Sequence, residues 1–389
     1  MQIDMPEEVN AILNFLNAAG HAAYIVGGCV RDSLMGIPPV DWDIATSALP
    51  EEVQLVRSSD RLNAHTVNTG IQHGTVTVVI NRKGYEVTTF RIDGEYQDGR
   101  RPEDVTFTKD LEMDLSRRDF TMNAIAYNAK EGIADPFNGT EDIKRKNIRC
   151  VGEAASRFDE DALRMMRAVR FSAQLGFTID PDTYAAIPPL AHRLKMVSIE
   201  RVRDELTKIL SSSNPYALPL LEETGLWQQI ATRRPLPKAA ERLEKCPKEP
   251  AMLYALLSAD EEFMRYLKFD NKTIKETDLY TRLLREPIEN DRYFVKVILN
   301  KIGPRRLDNL LTLKKIAGQD DSARAAFEGI ISSGECYTLK DLAVNGKDLK
   351  NAGIPPGPAM GEAMAALLDA VMKDFSLNNK EQLLKLVSN

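Results

Sequence analysis

Asp41 and Asp43, two residues apart in Asp41-Trp42-Asp43, are the pair in this 389-residue chain most able to do chemistry. Alternate positions of an extended segment project to one face, so both carboxylates can reach one cation. A strand is expected over Val40–Thr46, and Glu86, in a second β-branched stretch, is the candidate third oxygen ligand. Hard carboxylate oxygens with no nearby histidine or cysteine suit Mg²⁺ rather than zinc. Two such ions could lower the pKa of an attacking hydroxyl, bridge phosphates and stabilise departing pyrophosphate. An isolated Asp-x-Asp is ordinarily a solvated strand end. The glycines upstream and Glu86 downstream favour the metal reading here.

Two further clusters complete the chemistry. Gly27-Gly28-Cys29-Val30-Arg31-Asp32 joins an apolar strand to a helix, where free backbone N–H groups and the Arg31 fork can hold phosphate. Without the acidic pair behind it, this would be a simple tight turn. Glu160-Asp161-Ala162-Leu163-Arg164 falls in a helix expected over 157–175 and closed by Gly176. Spacings of three and four place Glu160, Asp161 and Arg164 on one face, which Arg167 and Arg170 continue. A surface salt-bridge helix is the alternative. Flanking Leu163, Met166, Val169 and Phe171 argue instead for a packed helix whose charged face lines a cleft. A carboxylate acceptor beside a guanidinium donor matches the amino group and ring nitrogen of cytosine and of adenine. Uracil and guanine present the reverse order and would leave buried charges mispaired.

The elements that must position these groups can be outlined. A helix over 7–19 stops at Gly20, and Ala23–Val26 is a strand running into the glycines. A brief helix follows from Val30 to Gly36, and another spans Pro50–Arg57. Gly74–Ile80 and Tyr85–Arg91 form a hairpin about Asn81-Arg82-Lys83-Gly84. Gly94–Val105 is polar and should be a mobile loop, with helical pattern from Ser116 onward. Strands and helices alternate to about Cys150; beyond it, helical periodicity dominates, including 198–212 after the N-cap candidate Ser198.

Composition bounds the class. Hydrophobic content of 43% and charged content of 28% are ordinary for a globular protein. No apolar run approaches the ~20 residues of a membrane helix, and the acidic start lacks secretory or transit features, so a cytoplasmic location is expected. Four scattered cysteines and four scattered histidines, none followed by Asp, exclude zinc-hydrolase and His-Asp phosphohydrolase motifs. The net charge of −6 and pI near 5.5 weigh against nucleic acid as partner, unless a local basic strip is present. Arg305, Arg306, Lys314 and Lys315 are candidates for such a strip, or equally are solvated surface residues.

Together these residues closely resemble the class II tRNA nucleotidyltransferases, the CCA-adding enzymes of bacterial type. The resemblance is carried by 24–32, Asp41-Trp42-Asp43-Ile44-Ala45-Thr46, 85–91, Asp98-Gly99-Arg100-Arg101-Pro102, 117–124 and the Glu160–Arg164 cluster. It is strong over about 20–215 and fainter beyond. It implies an α+β chain: a polymerase-β-like nucleotidyltransferase head with a small mixed sheet (1–150), then an all-helical neck (151–215), body (216–310) and tail (311–389). It implies magnesium at Asp41 and Asp43, base templating by Asp161 and Arg164, and nucleotide contacts from Gly28, Arg31, Arg118, Arg167 and Arg170. Asp119 and Asn123 would help position the sugar and the 94–105 segment. The substrates implied are CTP, ATP and tRNA, gripped at its acceptor end and TΨC arm, with no membrane and no obligate protein partner. Leu342–Leu349 and Gly353-Ile354-Pro355-Pro356-Gly357-Pro358 resemble the family's C-terminal element, whose glycine-opened helix could take RNA phosphate. An apparently complete Gly94–Asp114 segment disfavours a CC-adding relative. An A-adding enzyme remains open. A bacterial poly(A) polymerase, usually longer and more basic at its C-terminal end, is disfavoured by an acidic chain of this length, and a non-catalytic RNA or nucleotide-binding module by the intact aspartates.

Overall fold

A computed structural model describes residues 2–58, 63–94, 105–231 and 234–387. The Asp98–Pro102 motif and most of the expected 94–105 loop lie outside the described residues. The chain divides into two compact units, Met1–Ala240 and Glu241–Asn389.

The first unit is built on a mixed sheet. Its strands are β1 (Ala23–Val26), β2 (Ile44–Thr46), β3 (His65–Gly70), β4 (Thr75–Ile80), β5 (Lys83–Thr89), β8 (Ala126–Asn128) and β9 (Gly132–Ala134). A separate ladder joins β6 (Arg91–Asp93) and β7 (Val105–Phe107). The order in the larger sheet is β3-β4-β5-β2-β1-β8-β9, with only the β2–β5 pair parallel. β1 is buried along its whole length, as its unbroken Ala-Tyr-Ile-Val run requires of a central strand. Tyr24 and Val26 pack with Ala45, Phe90, Leu115, Ala126 and Val151 in one core cluster. The expected hairpin is present: Asn81 and Arg82 take φ of 52° and 64°, the left-handed pair of a tight primed turn between β4 and β5.

Helices flank and extend the sheet: α1 (Glu7–Ala18), α2 (Gly28–Leu34), α3 (Pro50–Val53), α4 (Leu111–Ser116), α5 (Gly139–Arg145), α6 (Ala154–Glu160), α7 (Leu163–Leu175), α8 (Pro181–Ala185), α9 (Ile187–Leu190) and α10 (Ile199–Leu210). Three differ from the sequence reading for physical reasons. α2 begins at Gly28 rather than Val30, because Gly27 already acts as its N-cap. No helix runs on from Ser116: residues 119–121 are drawn into backbone pairing with 149–151, through Thr121 N–H to Arg149 C=O at 2.9 Å and Val151 N–H to Asp119 C=O at 3.3 Å. The 157–175 helix is two helices, α6 and α7, broken at Asp161.

Among its described residues the second unit contains helices and connecting turns but no strand. Leu349, Leu367, Val371 and Leu383 form part of its core. The basic strip expected there is largely neutralised. Arg305 faces Glu249 and Arg306 faces Glu276, each at 3.1 Å, while Lys314 is buried and donates to the Glu286 carbonyl at 2.6 Å. Lys315 is exposed. The helix Gly346–Asn351 is closed by an Asn345–Asp348 capping box, whereas Pro358–Lys373 opens from Gly357 without a side-chain cap.

Candidate active site

A cavity of about 490 Å³ is lined by α2, residues 40–43, the stretch after α4, α7 and one residue of α10. Gly28, Arg31, Asp41, Asp43, Arg118, Asp119, Asn123, Asp161, Arg164, Arg167 and Arg170 all line it. Of the site residues named from sequence, Glu86 and Glu160 stand outside the lining. Seven arginines against five aspartates make the wall cationic, as an anionic ligand requires.

The aspartates do not lie on a strand as expected. β1 ends at Val26, and Gly27 turns its N–H to Ile125 C=O at 3.1 Å, so nothing remains to pair with residues 41 and 42. Only Asp43 is tied to β1, its carbonyl accepting the Val26 N–H at 3.0 Å. The alternation survives without the ladder: Asp41 and Asp43 are exposed while Trp42 between them is buried. The parallel register Ile44 to Val87 sets Glu86 beside Asp43. The Asp43 carboxyl is raised above its usual range by desolvation on its protein side, then by the charge of Glu86 and, less, of Asp41; Arg118 opposes them. Crowded carboxylates of this kind fit a divalent cation, which would relieve the repulsion. Among the described residues no three His, Cys, Asp or Glu side chains converge into a complete cage. Two aspartates with the remaining positions left to phosphate and water match how magnesium is usually held.

The glycine turn expected to cradle phosphate rests on Gly27 as much as Gly28. Gly27 has φ 77° and ψ −130°, a conformation closed to residues with a Cβ, and an added Cβ would sit 3.1 Å from Arg118 Nη1. Gly27→Ala is therefore expected to cost about 1–3 kcal/mol of stability in chemical denaturation and to displace Arg118. An unchanged midpoint would refute the strain argument. Gly28 occupies an ordinary helical position whose Cβ would only touch Arg31 Nη2 at 3.6 Å.

Behind the glycines runs a buried chain of partners. Arg31 donates to Asp32 Oδ1 through Nε at 2.8 Å and to Asn123 Oδ1 through Nη1 at 2.7 Å. Asn123 donates to Asp119 Oδ1 at 3.1 Å, and Arg167 grips Asp119 Oδ2 through Nε at 2.7 Å and Nη2 at 2.5 Å. Burial opposes ionisation of Asp119, yet Arg167 and the Asn123 hydrogen bond overcome it and hold the carboxyl near pKa 2. Asp119 and Asn123 thus fix two cavity arginines to one another.

The Glu160–Arg164 cluster is built differently from the expected helical face. Asp161 is extended, φ −140° and ψ 101°, and its Oδ1 accepts the Leu163 N–H at 3.0 Å. A short acidic side chain competing for nearby backbone N–H groups is what breaks the helix. Asp161 and Glu160 therefore separate in role. Glu160 Oε2 binds Arg164 at 2.5 Å, and Arg164 also donates to the carbonyls of Arg157 at 3.0 Å and Arg117 at 2.9 Å. Asp161 instead faces Arg201 of α10 at 2.8 Å. Arg170 likewise faces Glu205 of α10 at 2.7 Å. Arg201 and Glu205 were not singled out from sequence; four residues apart on an expected helix, they share a face, but nothing local indicates that α7 is what they meet.

Similarity to known proteins agrees with this geometry. Residues 23–149 match the Poly A polymerase head domain, 176–231 the RNA and SrmB-binding site of polymerase A, and 251–387 tRNA nucleotidyltransferase domain 2. The CCA-adding enzyme of Geobacillus thermodenitrificans is 41% identical over 402 residues, covering 97% of this chain and 95% of that protein. That of Levilactobacillus brevis is 36% identical, with both chains wholly covered. The crystal structure of Bacillus stearothermophilus CCA-adding enzyme in complex with CTP superposes with a TM-score of 0.81 at 37% identity, covering 98% of this chain and 97% of that one. The Thermotoga maritima CCA-adding enzyme complexed with tRNA shares the fold, with a TM-score of 0.71 at 20% identity and coverage of 99% and 96%. A nucleotidyltransferase head followed by helical RNA-binding segments defines the class, and the chain belongs to the CCA-adding enzymes within it. Dependence on a divalent metal follows from that membership.

Proposed function

We propose that this protein adds C, C and A in turn to the 3′ end of tRNA, using CTP and ATP and releasing pyrophosphate, with no nucleic-acid template. The observation that supports it most is one cationic cavity holding the paired aspartates at one part of its wall and Asp161 with Arg164 at another.

In this reading Asp41 and Asp43 hold Mg²⁺, with Glu86 beside them. When bound, the ion activates the primer hydroxyl and screens phosphate charge. Arg31, Arg118, Arg167 and Arg170 and the Gly28 N–H orient the triphosphate, so that the tRNA 3′-oxygen bonds to the α-phosphorus as pyrophosphate leaves. Asp161 accepts from the exocyclic amino group of cytosine or adenine, and Arg164 donates to the adjacent ring nitrogen. Glu160 and two backbone carbonyls keep the Arg164 fork aimed, and Arg201 restrains Asp161. The division into head 1–150, neck 151–215, body 216–310 and tail 311–389, with the later segments gripping the acceptor end and TΨC arm, belongs to the same proposal. So does a cytoplasmic location; no helix among the described residues is long and apolar enough to cross a membrane.

Incubation with tRNA lacking its 3′ end and labelled CTP, ATP or both tests it. Sequential C, C and A is the expected product. A added only to tRNA already ending in CC would replace the proposal with an A-adding enzyme, and long A tails with a poly(A) polymerase. No incorporation at all would indicate a binding module.

A further inference from the structure

We propose that Phe171 is the positioning residue that gathers Arg31, Arg167 and Arg170 into one triphosphate-gripping group, an inference that rests on the nucleotide site proposed above. The three guanidinium carbons lie 5.2, 5.5 and 4.0 Å from the centroid of the Phe171 ring. They come from two different elements, α2 and α7, and all three arginines line the cavity, as does the phenylalanine. Phe171 is only 5% exposed, so these cation–π attractions act with little competition from water. Its ring is held edge-on by Phe120, centroids 5.8 Å apart and planes at 87°, and Phe120 follows Asp119, the partner of Arg167.

Three like charges this close repel one another in the absence of an anion. Each has one carboxylate: Asp32 for Arg31, Asp119 for Arg167 and Glu205 for Arg170. None of those carboxylates is bonded to all three arginines, whereas the ring lies within 5.5 Å of each guanidinium carbon. It matters most for Arg170, whose Nε is 2.7 Å from Glu205 Oε2 but out of hydrogen-bond alignment. Burial, with the charges of Arg167 and Arg31, holds the Arg170 pKa down to about 10 against the opposing pull of Glu205. The electron-rich ring face lets the cluster stand assembled before a triphosphate arrives, which removes an ordering cost from binding.

Phe171→Leu keeps the apolar bulk and removes the ring; Phe171→Tyr keeps the ring. For the full-length protein, calorimetry should show F171L weakening CTP and inorganic tripolyphosphate alike by about tenfold. F171Y should bind both as wild type does, and the preference for CTP over UTP should be unchanged in both variants. Wild-type affinity in F171L, or equal damage in F171L and F171Y, would overturn the proposal in favour of simple packing. Should F171L fail to fold, Phe171→Met supplies the same ringless comparison. Wild-type protein that binds CTP without extending tRNA would defeat the enzymatic reading while leaving this one standing.

Discussion

Asp41→Ala is expected to lower nucleotide incorporation by about 10³-fold or more while tRNA binding persists. The aspartate is exposed on the cavity wall, and the side chain that anchors this segment to the core is buried Trp42. Removing the carboxylate therefore takes away charge without opening a cavity in the core. Asp43→Asn should behave similarly, since it keeps the shape and the Val26 hydrogen bond to the backbone carbonyl but loses the anionic ligand. Filter binding of tRNA alongside single-turnover incorporation separates the two properties. Parallel loss of both, or incorporation near the wild-type rate, would contradict a dedicated metal-holding role.

The second large effect is on base choice. A site that pairs an acceptor and a donor with cytosine or adenine should reject UTP and GTP by about 10⁴-fold. Asp161→Asn converts one acceptor into an amide able to donate to the uracil carbonyl, so discrimination against UTP is expected to fall by about 100-fold. The substitution also weakens the pull on Arg201. Arg164→Ala should relax base choice too, but with a fall in stability of about 1–3 kcal/mol, because half-buried Glu160 keeps only Arg157 and two carbonyls lose their donor. Competition between CTP and UTP on one tRNA reads the ratio directly. Undiminished rejection of UTP in the Asp161→Asn protein would remove the templating role.

Much of this was readable before the fold was known, and the reason is local. The β1 run, the Gly27-Gly28 turn, the 81–84 hairpin and the α10 helix each follow from apolar period, glycine placement or turn chemistry within a few residues. The acidic pair needed only alternation, which held even though its strand did not extend that far. The misreadings arose where another partner competed with the helical backbone, distant along the chain in one case and two residues away in the other. The 119–121 segment abandoned helix to pair with 149–151, and Asp161 ended α6 by turning its carboxylate to Leu163 N–H.

The residues themselves thus pointed to the chemistry proposed here: two carboxylates for a cation, arginines for phosphate, an acceptor and a donor for a base. Which group holds which was decided only on folding. Spacing paired Asp161 with Arg164, but packing of α10 on α7 gave Asp161 to Arg201 and Arg170 to Glu205, and left Arg164 to Glu160. A charged side chain chooses its partner by distance and desolvation, and both are properties of the packed interface rather than of the order of residues along the chain.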